Sequence, residues 1–409
     1  MGSTTPHSNR ILVIAPEPFY TDRGTPIAVK HVIKALTEFG SKVDLLTYPI
    51  GKDIDLPGLR IFRIPNLFQI KKVPIGFSAR KLLLNSILVP AIWKRLSRES
   101  YSFIHAVEEA AFPAVVVGRR MKVPVVYDMQ SCLPEQLKDY PIFRGAAVQK
   151  GLHHCERWLI RNADLVVCSV GLEQYVQKVN PTTPVMEWYF PGELVEVEAE
   201  EVKRLREDLK IDPHAQVVVY AGNFQPYQEL DKLIEASRRV LTCLPKTVFV
   251  LVGGNDSERL AFLTETKDLG QAGSFKLLPP IPRPEIPKYL AMADIVVSPR
   301  AKVGNLPLKI FDYLAAGKPI VAVDSPTIRK VLDDNRAVVV NPLENDLGEA
   351  ISSLLQNPER LKQLGAAARS YAEQHLGWQA FMLLVSELHA RVHPNGREAQ
   401  EYPLDSHRG

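Results

Sequence analysis

Short apolar runs, each closed by a polar turn and followed by a segment of helical period, recur along this chain, and that alternation leaves few architectures open. The runs stand at residues 10–15 (RILVIA), 43–46 (VDLL), 103–105 (FIH), 123–127 (VPVVY) and 165–169 (LVVCS), then at 217–221, 248–252, 275–278, 295–298, 320–323 and 337–340. Runs that are apolar at nearly every position, not every second one, predict strands buried on both faces, which means a parallel sheet covered by helices. Helices are expected between them, as at Val29, Val32, Ile33 and Leu36, at residues 230–241 and at 284–293. The fold class is therefore α/β, with two doubly wound Rossmann-like sheets. The two series part at residues 187–192 (EWYFPG), where Pro191-Gly192 is a breaker pair and a charged helix over 198–209 follows; this reads as the hinge. The expected organisation is an N-terminal domain over 1–190, a C-terminal domain over 191–376, a last helix over 377–392 and a polar, mobile tail over 393–409. With 409 residues, 46% of them apolar, the chain can fill two cores.

Composition excludes several classes. A net charge of +4 does not call for nucleic acid. No apolar run reaches the roughly 18 residues of a membrane span. Four cysteines without a CxxC pair, and no signal peptide before Ile11, predict a reducing, cytoplasmic compartment. His153, His154 and Cys155 are neighbours on a helix and point in different directions, so a metal site there is not expected.

Residues 298–324 carry the densest set of candidate groups. The strand at 295–298 ends in Ser298-Pro299-Arg300, a loop follows that offers backbone N–H groups at Gly304, Asn305 and Leu306, and Pro307 suits the start of a short helix. Lys309 and that helix start can face an anion, and Asp312 stands at a distance suited to ribose hydroxyls. Gly317 closes the helix. Two glycine turns, Gly222-Asn223 and Gly253-Gly254, follow strands and belong at the same sheet edge; they fit either phosphate binding or plain tight turns.

The pattern NLPLKIFDYLAAGKPIVAV at 305–323 resembles the nucleotide-binding signature of the GT-B glycosyltransferases, specifically the family 4 or "group 1" enzymes, and the resemblance extends over nearly the whole chain from Ile11 to Val392. It implies two facing Rossmann-like domains, a last helix crossing back to the first domain, and transfer of a sugar from a UDP- or GDP-linked donor to a glycan or lipid-linked acceptor with retention of configuration, in surface polysaccharide or glycolipid assembly. The donor would be held by Gly222, Asn223, Gln228, Gly253, Arg300, Gly304, Asn305, Leu306, Lys309 and Asp312 of the second domain, and by Gly24 and Thr25 of the first. Glu108, with Glu109, would face the cleft, and Gln130 stands where a histidine often lies near the donor sugar; Glu108 and Gln130 are the candidate catalytic residues. The resemblance implies no cofactor and no metal. Asn223 and Gln228 replace an arginine and a lysine common in the family, and Gly304 replaces the first of two glutamates whose second place is Asp312. AGNFQPYQ together with NLPLKIFDYLAAGKP matches a branch of the family that shares these departures. His105 is expected as a packed residue more than a catalytic one, and Arg23 fits a ligand contact or a surface charge equally.

Between Asp55 and Glu99 there is no acidic residue, while nine lysines and arginines (Arg60, Arg63, Lys71, Lys72, Arg80, Lys81, Lys94, Arg95, Arg98) interleave with Phe68, Leu82, Leu83 and Trp93. Two readings are open: peripheral contact with anionic membrane through residues 60–98, or a helical insertion with a solvated basic rim. Against the transferase stand a nucleotide-sugar-binding pseudoenzyme, motivated by the departures, and a dinucleotide oxidoreductase, disfavoured because no GxGxxG follows the first strand.

Overall fold

The computed structural model describes residues 9–393 apart from 75, 139, 269, 302–303 and 343–345; the tail beyond His393 lies outside the described residues. The chain forms two compact units. Unit 1 takes the chain up to Tyr189 and returns to it from Trp378, and unit 2 is Phe190–Gly377.

Unit 1 contains a seven-stranded sheet of β1 (Arg10–Ala15), β2 (Lys42–Thr47), β3 (Leu59–Arg63), β4 (Phe103–Val107), β5 (Val125–Met129), β6 (Leu165–Ser169) and β7 (Val185–Trp188), in the order β3-β2-β1-β4-β5-β6-β7. Every neighbouring pair is parallel. Strands β1, β4 and β5 are buried along almost their whole length, as continuous apolar runs require. The order reverses at β1, whose neighbours are β2 on one side and β4 on the other, so the switch point of the sheet lies between β1 and β4. Ligands of open α/β sheets bind at the carboxyl ends of the strands at such a point.

Two strands escape the sequence reading, and a third is displaced. β3 reads LRIFR and is half-buried, because its charges are used by the fold: Arg60 donates two hydrogen bonds to the buried Asp44 of β2 (2.8 and 2.7 Å), and Arg63 pairs with Asp53. β7 takes Glu187 and Trp188, placed in the hinge above, as edge-strand residues; Trp188 is wholly buried. The strand expected over 123–127 is β5, two residues later. The preceding helix Ala111–Met121 caps on Lys122 in the left-handed conformation (φ +57°), and Pro124 has no N–H to give to a ladder.

The last helix, Trp378–Val392, belongs to unit 1. The Trp378 indole N–H donates to Glu38 (2.6 Å), His389 stacks on Phe39 at 4.6 Å between centroids, and Arg391 donates to the Val185 carbonyl (2.7 Å).

Unit 2 contains β8 (Val217–Ala221), β9 (Val248–Val252), β10 (Phe275–Leu278), β11 (Ile295–Ser298), β12 (Ile320–Val323) and β13 (Ala337–Val340), ordered β10-β9-β8-β11-β12-β13 and parallel throughout. Its switch point lies between β8 and β11. The charged helix at its start runs over Ala199–Asp208, and the helix expected over 284–293 is Ile286–Ala291 preceded by a 3₁₀ turn.

Candidate functional site

In unit 2 the groups named from sequence gather at the switch point. Gly222 follows β8 and Gly253 follows β9, and the two backbones touch: a Cβ on Gly253, whose φ is +129°, would lie 1.9 Å from the Gly222 carbonyl oxygen. Only glycine fits there. The helix Lys309–Ala315 brings Tyr313 under the strand ends, where its hydroxyl accepts from the Ala221 N–H (3.0 Å) and donates to the Val297 carbonyl (3.4 Å), tying β8, β11 and the helix together. Lys309 opens that helix. Its ammonium donates to Gln228 Oε1 (2.9 Å), stands 3.8 Å from the centroid of the Tyr220 ring, and reaches the face of Gly222. Arg300, two residues beyond β11, donates to Asn305 Oδ1 (3.3 Å), and its guanidinium occupies the space over Gly304, where a Cβ would come within 2.9 Å of Nη2. The place of the first family glutamate is thus filled by the arginine.

The electrostatics are unbalanced. Desolvation, and then the like charge of Arg300, hold the Lys309 ammonium well below its ordinary pKa. Two adjacent cations at a strand-end turn are built for an anion with several acceptor oxygens.

Two predicted residues fall elsewhere or act differently. Asp312 does not present an open carboxylate: both oxygens accept from Arg283 (2.8 and 3.2 Å), which also pairs with Glu193 (3.3 Å). Burial raises the Asp312 carboxyl although Arg283 opposes it. Asp312 and Arg283 line a groove of about 620 Å³ in unit 2 whose lining includes neither Lys309 nor Arg300. Asn223 is used within its own turn, where its carbonyl accepts from Tyr220 OH (2.7 Å) and its amide donates to Tyr227 OH (2.9 Å). Leu306 is buried, so only its backbone is available. Sequence reasoning passed over Arg283 because its partner lies 29 residues away.

In unit 1, Gly24 and Thr25 open the helix Gly24–Glu38 after β1, and Arg23 donates to the Val73 carbonyl (3.3 Å). Glu108 follows β4 in the left-handed conformation (φ +48°), which a glutamate adopts at a cost of order 1–3 kcal/mol. Ser131 Oγ donates to it (3.0 Å), and burial, then the like charge of Glu109, push its carboxyl well above the ordinary range. His105 is fully buried and bonds Asp128 (2.9 Å), the packed role expected of it. Gln130 donates weakly to both Asp128 oxygens (3.4 Å each) and is buried. Glu17, missed in the sequence because the loop APEPFY carries no pattern, stands two residues beyond β1 beside these groups. Among the described residues, no three His, Cys, Asp or Glu side chains are placed to hold a metal ion, and no helix is long and apolar enough to cross a membrane.

Comparison with known proteins gives this geometry its context. The model of the glycosyl transferases group 1 matches residues 201–371, and that of the glycosyl transferase 4-like domain matches residues 23–179. A D-inositol 3-phosphate glycosyltransferase of Segniliparus rotundus is 27% identical over 241 residues, 55% of this chain and 51% of that protein. A GDP-mannose-dependent alpha-(1-6)-phosphatidylinositol monomannoside mannosyltransferase of Mycolicibacterium smegmatis is 29% identical over 184 residues, 42% of this chain and 47% of that one. The chain thus spans about half the length of the curated relatives it matches. Among solved structures, sucrose-phosphate synthase of Thermosynechococcus elongatus superposes with a TM-score of 0.79 at 19% identity, covering 95% of this chain and 100% of that one. Anabaena Alr3699/HepE in complex with UDP and glucose gives 0.72 at 16%, covering 93% and 99%. With two Rossmann-like parallel sheets of the GT-B class and a family match in each unit, the chain belongs to the group 1 glycosyltransferases.

Proposed function

We propose that this glycosyltransferase moves a sugar from a UDP- or GDP-linked donor to a glycan or lipid-linked acceptor with retention of configuration, in the assembly of a surface polysaccharide or glycolipid. The observation that carries the reading is the Lys309–Arg300 pair beside Gly222 and Gly253: a desolvated lysine with a half-buried arginine at the switch point of unit 2, set against a turn that lets a ligand approach backbone. A diphosphate satisfies both, and its leaving-group charge grows during transfer, when fixed donors count most. Lys309 and Arg300 supply the positive charge that a divalent ion supplies elsewhere, so turnover proceeds in EDTA. Glu108 and Gln130 act on the acceptor and donor sugar from unit 1.

Peripheral membrane contact forms part of this reading. The helix Ala79–Leu96 buries Leu84, Leu88, Ile92 and Leu96, and turns Leu82, Val89 and Trp93 outward with Arg80 and Lys94; Phe68, earlier in the same basic stretch, is 51% exposed. Arg60, Arg63 and Lys81 are engaged within unit 1 and drop out of the patch.

The test is a panel of nucleotide sugars followed by melting temperature and by release of nucleoside diphosphate. Stabilisation by one nucleotide class with turnover, and an α-linked product from an α-linked donor, is the expected result. Stabilisation without release under any acceptor returns the pseudoenzyme reading, which the Arg283–Asp312 pair favours because it occupies the carboxylate meant for ribose. No stabilisation by any nucleotide contradicts both.

A further inference from the structure

The carboxyl end of the unit 1 sheet holds more hydrogen-bonding capacity than its own partners use. Glu17 is fixed at the main chain: its N–H donates to the Ala15 carbonyl (2.8 Å), and its carbonyl accepts from Thr47 Oγ1 (2.7 Å) and the Tyr48 N–H (3.3 Å). Its side chain is only 7% exposed, and Oε1 is sealed from solvent without a hydrogen-bond partner. Burial, against the opposing charge of Lys81 and with the carboxyls of Glu109, Asp128 and Glu108 nearby, raises its carboxyl well above the ordinary range. Nothing in the mechanism above uses this group.

Its surroundings alternate donors and acceptors. Lys81 lies 4.0 Å from Glu109 Oε1, Asn85 donates to the same oxygen (3.4 Å) while accepting from Tyr48 OH (2.6 Å), and Ser131 donates to Glu108. Hydroxyl groups, each of which donates and accepts, match such a set. A phosphate matches less well: it brings acceptors and up to two negative charges to a place where the charges of Glu109 and Asp128 already oppose a negative Glu17 and Lys81 is the cation that favours one.

We propose that the acceptor of this enzyme is an uncharged, hydroxyl-rich ring bound at the carboxyl ends of β1 and β4, with Glu17 as the positioning residue that exchanges a hydrogen bond with one of its hydroxyls. This rests on unit 1 being the acceptor side of a transferase. Glu17 orients the ring and does not touch the reacting anomeric carbon, so its loss acts on acceptor KM and not on kcat.

The experiment uses matched rings that differ by one phosphate: myo-inositol against D-myo-inositol 3-phosphate, and methyl glucoside against glucose 6-phosphate. Release of nucleoside diphosphate is followed with the full chain and whichever nucleotide sugar stabilises it. The neutral ring of each pair is expected to stimulate release and the phosphorylated ring to do so at least tenfold less. Glu17→Leu raises the acceptor KM tenfold or more with kcat within threefold, Glu17→Gln raises it less than threefold, and the nucleotide-induced melting shift is the same in both variants. Equal or better stimulation by the phosphorylated rings overturns the proposal, as does an unchanged KM in Glu17→Leu, or a nucleotide-stabilised protein that no neutral ring stimulates. Saturation-transfer NMR without nucleotide decides the matter independently of turnover: contact from the neutral rings that Glu17→Leu removes supports the proposal, and contact from the phosphorylated rings alone overturns it. Failure of the melting shift in the wild-type protein points instead to the donor reading, which the NMR result does not depend on.

Discussion

The two sheets share a plan and differ in charge. Each reverses its strand order once, and at each reversal the chain places candidate groups one or two residues beyond the central strands: Glu17 and Glu108 after β1 and β4 in unit 1, Gly222 and Arg300 after β8 and β11 in unit 2. In unit 1 burial drives carboxyls upward, and in unit 2 it drives a lysine downward, so both sets are pushed toward neutrality when no ligand is present. The backbone plan fixes where ligands go, and the side chains decide which sign of ligand each place accepts.

The largest expected effect comes from removing the charge of unit 2. Lys309→Met should weaken nucleoside diphosphate binding a hundredfold or more, about 3 kcal/mol at 1.4 kcal/mol per tenfold, while the free protein melts at the same temperature or slightly higher because a desolvated cation has gone. A variant that binds as tightly as wild type breaks the comparison.

Acid should separate the units next. Burial, and then the neighbouring charge of His393, lower the pKa of His389 to about 4 from an ordinary 6.5. The unfolded chain therefore takes its proton first as pH falls, so this part of the stability is complete above about pH 6.5 and is lost progressively toward pH 4, at most about 3 kcal/mol. Because His389 holds the last helix on Phe39, hydrogen exchange of unit 1 should rise before that of unit 2, and His389→Phe should flatten the dependence. Equal loss in both units would contradict this.

Gly253→Ala acts on unit 2 alone. Its Cβ meets the Gly222 carbonyl, and its φ is unfavourable for alanine, so a destabilisation of about 2 kcal/mol is expected in denaturant melts, with nucleotide affinity falling alongside. The smallest effect on stability belongs to the outer face of unit 1. Leu82→Glu with Trp93→Glu should change stability by under about 0.5 kcal/mol yet abolish flotation with anionic liposomes at low salt; wild-type protein that does not float removes the membrane contact from the proposal.

The fold was legible where burial left a continuous apolar run, and illegible where charge did structural work. β1, β6, β8, β9 and β11 read as strands because no polar residue interrupts them. β3 reads as part of a basic stretch because Arg60 reaches across to Asp44, a contact sixteen residues apart in sequence that no local pattern records. The strand order, which creates both switch points, is also set by long-range pairing. Within the site, Lys309, Arg300, Gly222 and Gly253 were found because a signature of loop, helix and glycine turn is local. Asp312 was placed by its position in that signature, but its partner Arg283 comes from another element and changes what the carboxylate can do. Glu17 was missed for a related reason: a glutamate in a proline-rich loop looks solvated until the backbone turns it inward.

The central claim is that nucleotide binds through unit 2 and not through the acidic end of unit 1. Isothermal titration of UDP and GDP into wild-type, Lys309→Met and Glu17→Leu protein tests it most directly. The expected result is binding of one nucleotide by the wild type, loss of at least a hundredfold in Lys309→Met, and an unchanged dissociation constant in Glu17→Leu. Binding that survives Lys309→Met, or that disappears with Glu17→Leu, would contradict the account.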